Sequence, residues 1–257
     1  VERNLPSTYY CGEECMNAHW PKHKVYHKAQ KQRAKELSEG TILDHDRSSA
    51  EAEARLAERT GSEFHKRFAA AMVLGTDGDH NAAVKAWRKI IKEWPDRSAP
   101  YNNLAIVLQQ SGRHAEAAQL FLKGMALYED GTENWALSAA SAFDLLRHSA
   151  CREVPTPEWW NDEALKALSA RVVAAAPEKP HPCAMRARVL TGDVLRKADW
   201  NAGPRTTAEV KEAATWYWRA AIAMCIPAAK QHYEQLARRC DEYADPLLAE
   251  EEAEAAK

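Results

Sequence analysis

Small and aromatic residues recur at an interval of 34 residues in the middle of this chain. Three pairs of positions share the interval: Gly78 and Gly112, Ala83 and Ala117, and Trp87 and Phe121. A period of this length accommodates two antiparallel helices with their turns, so each period is predicted to be one helix pair stacked on the next. The small residues would mark close helix contacts, and the glycines fit tight turns that need a positive φ.

The composition also favours helices. Ala contributes 48 of the 257 residues, whereas there are only 10 Gly and 12 Pro. This usage argues against a β-sandwich or a β-barrel, because Ala has the highest helix propensity. No apolar run approaches the ~20 residues of a membrane span, which excludes an integral membrane protein. The formal net charge of −2 gives no reason to expect nucleic-acid binding by the chain as a whole.

The 34-residue pattern resembles the tetratricopeptide repeat (TPR), a motif of two antiparallel helices. Residues 64–97 and 98–131 match it well, and a third repeat from residue 132 is interrupted. We predict these later segments as helices: 132–147, Glu158 to a point before Pro177, 182–198, 207–224 and a capping helix over 227–244. The resemblance implies an all-α fold, built as an antiparallel helix-pair stack (an α-solenoid).

The same resemblance implies a groove that binds a peptide or a partner helix. In the second repeat, the residues expected to face this groove are Asn102, Asn103, Ile106 and Gln110. For Asn103, a hydrogen bond inside the helix stack is an equally good interpretation. These four residues are the predicted peptide-binding positions of the repeat domain.

A group of cysteines and histidines near the N-terminus predicts a zinc site. Its spacing is Cys11-x3-Cys15-x7-His23-x3-His27. Thiolate and imidazole are preferred zinc ligands, and four of them complete a structural site. His23 and His27 lie one helical turn apart and would face the same side of a helix.

This segment resembles the second half of a MYND-type zinc finger. The matching residues are Tyr10, Cys11, Cys15, Trp20 and His23. The departures are Met16, His19 and His27, and His27 occupies the last ligand position in place of a Cys. The resemblance implies two zinc ions, with the cysteines on one and the histidines on the other. The remaining ligands would then lie before Val1, as in a chain that lacks its N-terminus. A single site formed by all four residues is the alternative.

MYND modules dock short peptides, so the resemblance makes Trp20 a candidate peptide contact. Packing of Trp20 against the zinc site is the alternative reading. MYND fingers also occur in methyltransferases with TPR-like helices, and a fragment of such an enzyme, with its catalytic part outside this chain, is a further hypothesis.

Charged residues dominate the segment that follows the finger. Residues 28–60 are predicted as two helices, divided by Gly40 and Thr41 and by the polar cluster at 46–49, with Ser48 or Ser49 as an N-cap. Six bases in this part of the chain form a basic run over 22–35: Lys22, Lys24, Lys28, Lys31, Arg33 and Lys35. Such a run can bind phosphates, which makes a nucleic-acid-associated regulator the alternative function.

The remaining cysteines are predicted to be buried apolar residues, and their usage fits a reducing compartment, the cytoplasm or the nucleus. They are Cys151, Cys183, Cys225 and Cys240. We find no G-x-S-x-G, phosphate-binding glycine loop or H-E-x-x-H motif, so no catalytic role is expected. The sequence therefore predicts a non-enzymatic protein-interaction adaptor or scaffold with structural Zn2+. Its four regions would be a partial finger (1–30), a charged helical connector (31–60), a TPR-like domain (61–245) and an acidic tail (246–257).

Overall fold

The structure is a computed structural model that describes residues 41–193 and 205–255. Within these ranges it consists of α-helices and one 3-10 helix (Ser149–Cys151), without a β-strand. The α-helices are α1 (Thr41–Thr60), α2 (Glu63–Thr76), α3 (His80–Glu93), α4 (Ser98–Gln110), α5 (His114–Leu127), α6 (Glu133–Leu146), α7 (Asp162–Ala175), α8 (Pro180–Thr191), α9 (Thr207–Ala223) and α10 (Pro227–Ala255). The prediction of an all-α fold is confirmed for this part of the chain.

The chain divides into two compact units between Ile90 and Ile91, inside α3. In the first unit, α1 and α2 pack against each other across the short turn at Gly61. The ring of Phe68 on α2 meets the ring of Trp87 on α3 edge-on, with centroids 4.8 Å apart. Both aromatic rings are buried, so they join α2 to α3 in the interior of this unit.

In the second unit, each helix from α4 to α10 packs against the next helix in sequence, and α6 also packs against α8. This order is the one that consecutive antiparallel helix pairs produce, and it is consistent with a helical repeat stack. Nine of the 14 residues of α6 are buried. A helix that is apolar on nearly every side has to lie inside a unit, and α6 does so between α5, α7 and α8.

The tight turns predicted at Gly78 and Gly112 are confirmed, with φ values of 80° and 77°. The residue after each glycine donates its N–H to a carbonyl five positions earlier. Two bonds share this geometry: Asp79 to Leu74 at 3.1 Å, and Arg113 to Leu108 at 2.8 Å. Bonds of this kind satisfy carbonyls that the end of a helix leaves free. The 34-residue interval of the sequence is thus repeated in the backbone hydrogen bonds.

The N-cap predicted at Ser48 or Ser49 is wrong, because α1 begins at Thr41 and runs through residues 46–49 without a break. The serines occupy a region where the helix is already formed. Side-chain caps favour a helix start, but they do not impose one within a continuous run of helix-forming residues.

The interruption of the third repeat, which begins at residue 132, is longer than predicted. The helix after it begins at Asp162 instead of near Glu158, and Asn161 is its N-cap, with its side chain accepting from the Ala164 N–H at 3.0 Å. The connection before it contributes to the interior, since Cys151 and Val154 are buried.

The helix predicted over 182–198 and the final helix also have different bounds from those predicted. α8 ends at Thr191, before Gly192 with a φ of 72°, whereas the sequence predicted a helix up to residue 198. α10 continues to Ala255, past the predicted end at 244 and into the acidic tail. Of the four cysteines predicted to be buried, Cys151, Cys183 and Cys240 are, but Cys225 is exposed.

A candidate peptide-binding face on the second unit

Three of the predicted peptide-binding residues form an outward strip on α4. Asn103, Ile106 and Gln110 are three and four positions apart, so they lie along one side of the helix. Ile106 is 44% exposed, although most large apolar side chains in this unit are buried. The Asn103 amide donates to the carbonyl of Ala99 in the same helix at 3.0 Å. We call Asn103, Ile106 and Gln110 the α4 strip.

Asn102, the fourth predicted residue, is engaged inside the unit. Its Nδ2 donates to the Ser138 hydroxyl on α6 at 2.5 Å, and that hydroxyl donates to the Asn134 carbonyl at 2.7 Å. A Cβ atom added at Gly124 on α5 would overlap the Oδ1 atom of Asn102. Asn102 therefore connects α4, α5 and α6 and holds α4 in place behind the strip.

A hydrogen bond of the same kind at the start of α4 and of α8 shows which positions of the two helices are equivalent. The Tyr101 hydroxyl donates to the carbonyl of Pro95 at 2.9 Å, and the Cys183 thiol donates to the carbonyl of Pro177 at 3.2 Å. Both side chains reach a carbonyl six residues earlier, just before their own helix begins. Five residues further along, Ile106 on α4 corresponds to Arg188 on α8.

Arg188 belongs to a charged cluster that the sequence analysis missed. Its guanidinium donates to the Asp144 carboxylate on α6 at 2.5 Å. His181 and Arg147 lie 3.8 Å and 3.7 Å from the same carboxylate, and Arg147 also pairs with Asp193 at 2.8 Å. The one available signal was the single charged residue in the second half of α6, which is otherwise apolar except for Ser141.

Asp144 and Arg188 stabilise each other's charged forms. Burial alone would raise the pKa of Asp144, but Arg188, with His181 and Arg147 beside it, holds that pKa below its usual value. Burial opposes the charge of Arg188, and the neighbouring Asp144 outweighs it, so the pKa of Arg188 is raised. The Arg188 guanidinium also lies over the Tyr233 ring, 5.8 Å from its centroid, which ties in α10.

The α4 strip and the Asp144 cluster therefore differ in what they offer a ligand. The charges of the Asp144 cluster are already compensated by one another, whereas the α4 strip presents an apolar side chain with polar amides on either side. An apolar anchor flanked by hydrogen-bonding groups is typical of a peptide-binding surface. This arrangement can bind a ligand, and nothing in the strip supplies a nucleophile or a general base.

The predicted zinc ligands lie outside the described residues. They are Cys11, Cys15, His23 and His27, and the candidate contact Trp20 is beside them. Within residues 41–193 and 205–255, no group of three or more His, Cys, Asp or Glu side chains could hold a metal ion. The zinc site thus stays a prediction from the sequence.

Comparisons with known proteins add no relative. No protein-family model matches the chain. A search of curated proteins finds no significant match either. In the described part of the chain, no helix is both long enough and apolar enough to cross a membrane.

Proposed function

We propose that this chain is a protein-interaction adaptor whose TPR-like helix pairs bind a short peptide of a partner at the α4 strip. The observation that carries the proposal is the exposure of Ile106 between Asn103 and Gln110. A partner peptide would place an apolar side chain against Ile106 and satisfy its backbone groups through the two amides. The repeated turn hydrogen bonds at Gly78 and Gly112 support the TPR-like assignment.

The α4 strip stands on a rigid support. Leu104, Ala105 and Leu108, on the opposite side of α4, are 2% exposed or less. The Asn102–Ser138 hydrogen bond fixes the helix against α6. A preorganised surface loses less conformational entropy on binding, so a small contact area can still give useful affinity.

The N-terminal finger would have a structural part in this adaptor. Our proposal is that Cys11, Cys15, His23 and His27 bind Zn2+, either as one site or as halves of two sites, and that Trp20 contacts a peptide. A zinc site closed by four protein ligands leaves no coordination position for a substrate, which agrees with a role without catalysis. Zinc content, measured per chain by plasma mass spectrometry in the protein and its Cys15→Ala variant, tests this part. Equal content in both would contradict it.

The peptide-binding proposal is tested by affinity capture followed by direct binding. Partners are captured at physiological salt and identified by mass spectrometry. The binding segment of a partner is then made as a synthetic peptide, and its affinity is measured by fluorescence polarisation. Ile106→Glu should weaken binding about tenfold or more, equivalent to ~1.4 kcal/mol. Ile222→Glu is the matched control, because Ile222 is 79% exposed but lies on α9. Unchanged affinity in Ile106→Glu would contradict the proposal.

The same captures separate the alternative functions. Binding that disappears after nuclease treatment would favour the nucleic-acid-associated regulator acting through residues 22–35. Binding lost in Cys15→Ala but kept in Ile106→Glu would place recognition in the finger instead of the repeats. A phosphate-driven complex would also lose affinity steeply between low and physiological salt, unlike a peptide held by apolar contact.

A further inference from the structure

An open cleft lies between α1 and α2 in the first unit. Its volume is about 620 Å³. Five alanines line it: Ala50, Ala54, Ala57, Ala69 and Ala70. Val73 also lines it and is 44% exposed, whereas most large apolar side chains in the described part of the chain are more buried. Small side chains on both helices leave room for another segment to approach the two backbones closely.

The charges around this cleft are mostly negative. Glu51, Glu58 and Asp77 lie along it, against the single base Lys66, and all four are exposed. The residues that line the cleft therefore combine an apolar floor with an excess of two negative charges, and Arg55, which does not line it, lies 3.8 Å from Glu51. A segment that fits it needs small or flat apolar side chains together with several bases.

We propose that this cleft binds the chain's own basic run, residues 22–35. The run carries six bases and no Asp or Glu, and Val25, Tyr26, Ala29 and Ala34 lie among them. Only residues 36–40 separate it from the start of α1 at Thr41. So short a connection gives an effective concentration on the order of millimolar, which favours this segment over a separate molecule with the same chemistry.

The proposed register has the chain reverse at Gly40, with the same rise per residue on both sides, so that residues equally distant from Gly40 would come next to each other. Glu51 is 11 positions after Gly40, so in this register residue 29, between Lys28 and Lys31, would lie beside it. Tyr26 would come beside Ala54, where its flat ring would cover the alanine floor of the cleft.

Hydrogen–deuterium exchange of the full chain, read by mass spectrometry, tests this docking. Peptides within residues 28–39 are the readout, because they contain neither a predicted zinc ligand nor a residue of the α4 strip. Their amides should exchange about tenfold more slowly than those of a synthetic peptide of residues 22–39. Exchange at the rate of the free peptide would overturn the proposal.

Substitutions in the cleft show where the segment binds. Glu51→Lys and, independently, Val73→Asn should remove the protection of residues 28–39. Glu242→Lys should keep it, since Glu242 is an exposed acid on α10, in the other unit. Circular dichroism should show unchanged helix content in each variant, because the altered side chains are exposed. Protection that survives both cleft substitutions would contradict docking in this cleft.

A charge exchange tests the register and the source of the segment. Adding Lys28→Glu and Lys31→Glu to Glu51→Lys should restore the protection that Glu51→Lys alone removes, because the opposite charges face each other again. Failure to restore it would refute this register. Protection that rises with protein concentration would mean that a second copy supplies the segment, and it would overturn binding within one chain.

Discussion

Helices α4 and α6 stand 34 residues apart in the same pattern, yet one presents a surface and the other is enclosed. Ile106 on α4 corresponds to Ala140 on α6, which is fully buried, and the exposed Gln109 corresponds to the fully buried Phe143. The difference arises because α6 packs directly against α8. One repeat position can therefore serve as a ligand surface or as interior, depending on the helix that follows.

The largest expected effect on stability is in α6, the enclosed helix. Phe143→Ala should lower the free energy of unfolding by about 3–5 kcal/mol, because it leaves a cavity beside the Trp160 ring. Gln109→Ala, at the corresponding position of α4, should change it by less than about 0.5 kcal/mol. Urea unfolding of both variants measures the difference. Similar losses in the two would show that the helices are not distinguished by burial.

Gly124→Ala should destabilise the second unit by about 1–3 kcal/mol, because its Cβ would overlap the Asn102 side chain. The loss should be smaller when Gly124→Ala is made in an Asn102→Ala background, where the overlapping atoms are absent. Thermal unfolding of the two single variants and the double variant gives the coupling between the sites. Additive effects would contradict close packing of Asn102 on α5.

The acid side of the stability profile should depend on Asp144. Its pKa is lower in the folded protein than the ordinary value of 3.8, so its contribution is complete above that pH. The contribution is lost as the pH falls through the folded-state pKa. As the pH is lowered from 5 to about 2, the free energy of unfolding should therefore fall less steeply in Asp144→Asn than in the parent protein. Parallel profiles would contradict this role of the Asp144–Arg188 pair.

Ile106→Ala should have the smallest effect on stability, within about 0.5 kcal/mol, because its side chain is largely exposed and Ala favours a helix. The same substitution should weaken peptide binding, since it removes the apolar anchor of the α4 strip. Unfolding and fluorescence polarisation on one preparation separate the two effects. A large loss of stability would mean that Ile106 is a structural residue.

Local chemistry was predictable from the sequence, and long-range pairing was not. The turns at Gly78 and Gly112 were predicted correctly because a positive φ is a local demand that glycine meets. The outward position of Ile106 was implied by the resemblance to the TPR. The partners of Asn102 and Asp144 could not be found in this way, because Ser138 and Arg188 are 36 and 44 residues away.

The errors in helix bounds have a similar origin. α7 begins later than expected because the Trp160 N–H donates to the carbonyl of Pro157 at 2.9 Å. This hydrogen bond closes a local turn before the N-cap Asn161. α10 runs through Pro246, past the end predicted at residue 244. Proline removes one backbone hydrogen bond, and the helix-forming residues on both sides of it maintain the helix here.

The direct packing of α6 on α8 also has a consequence during synthesis on the ribosome. Leu190 on α8 is made 44 residues after Leu146 at the end of α6. At a synthesis rate of about 5–20 residues per second, the apolar side of α6 remains without its α8 contacts for several seconds. In that interval the nascent chain exposes the apolar surface of α6, and this is the stage at which we expect molecular chaperones to bind the chain.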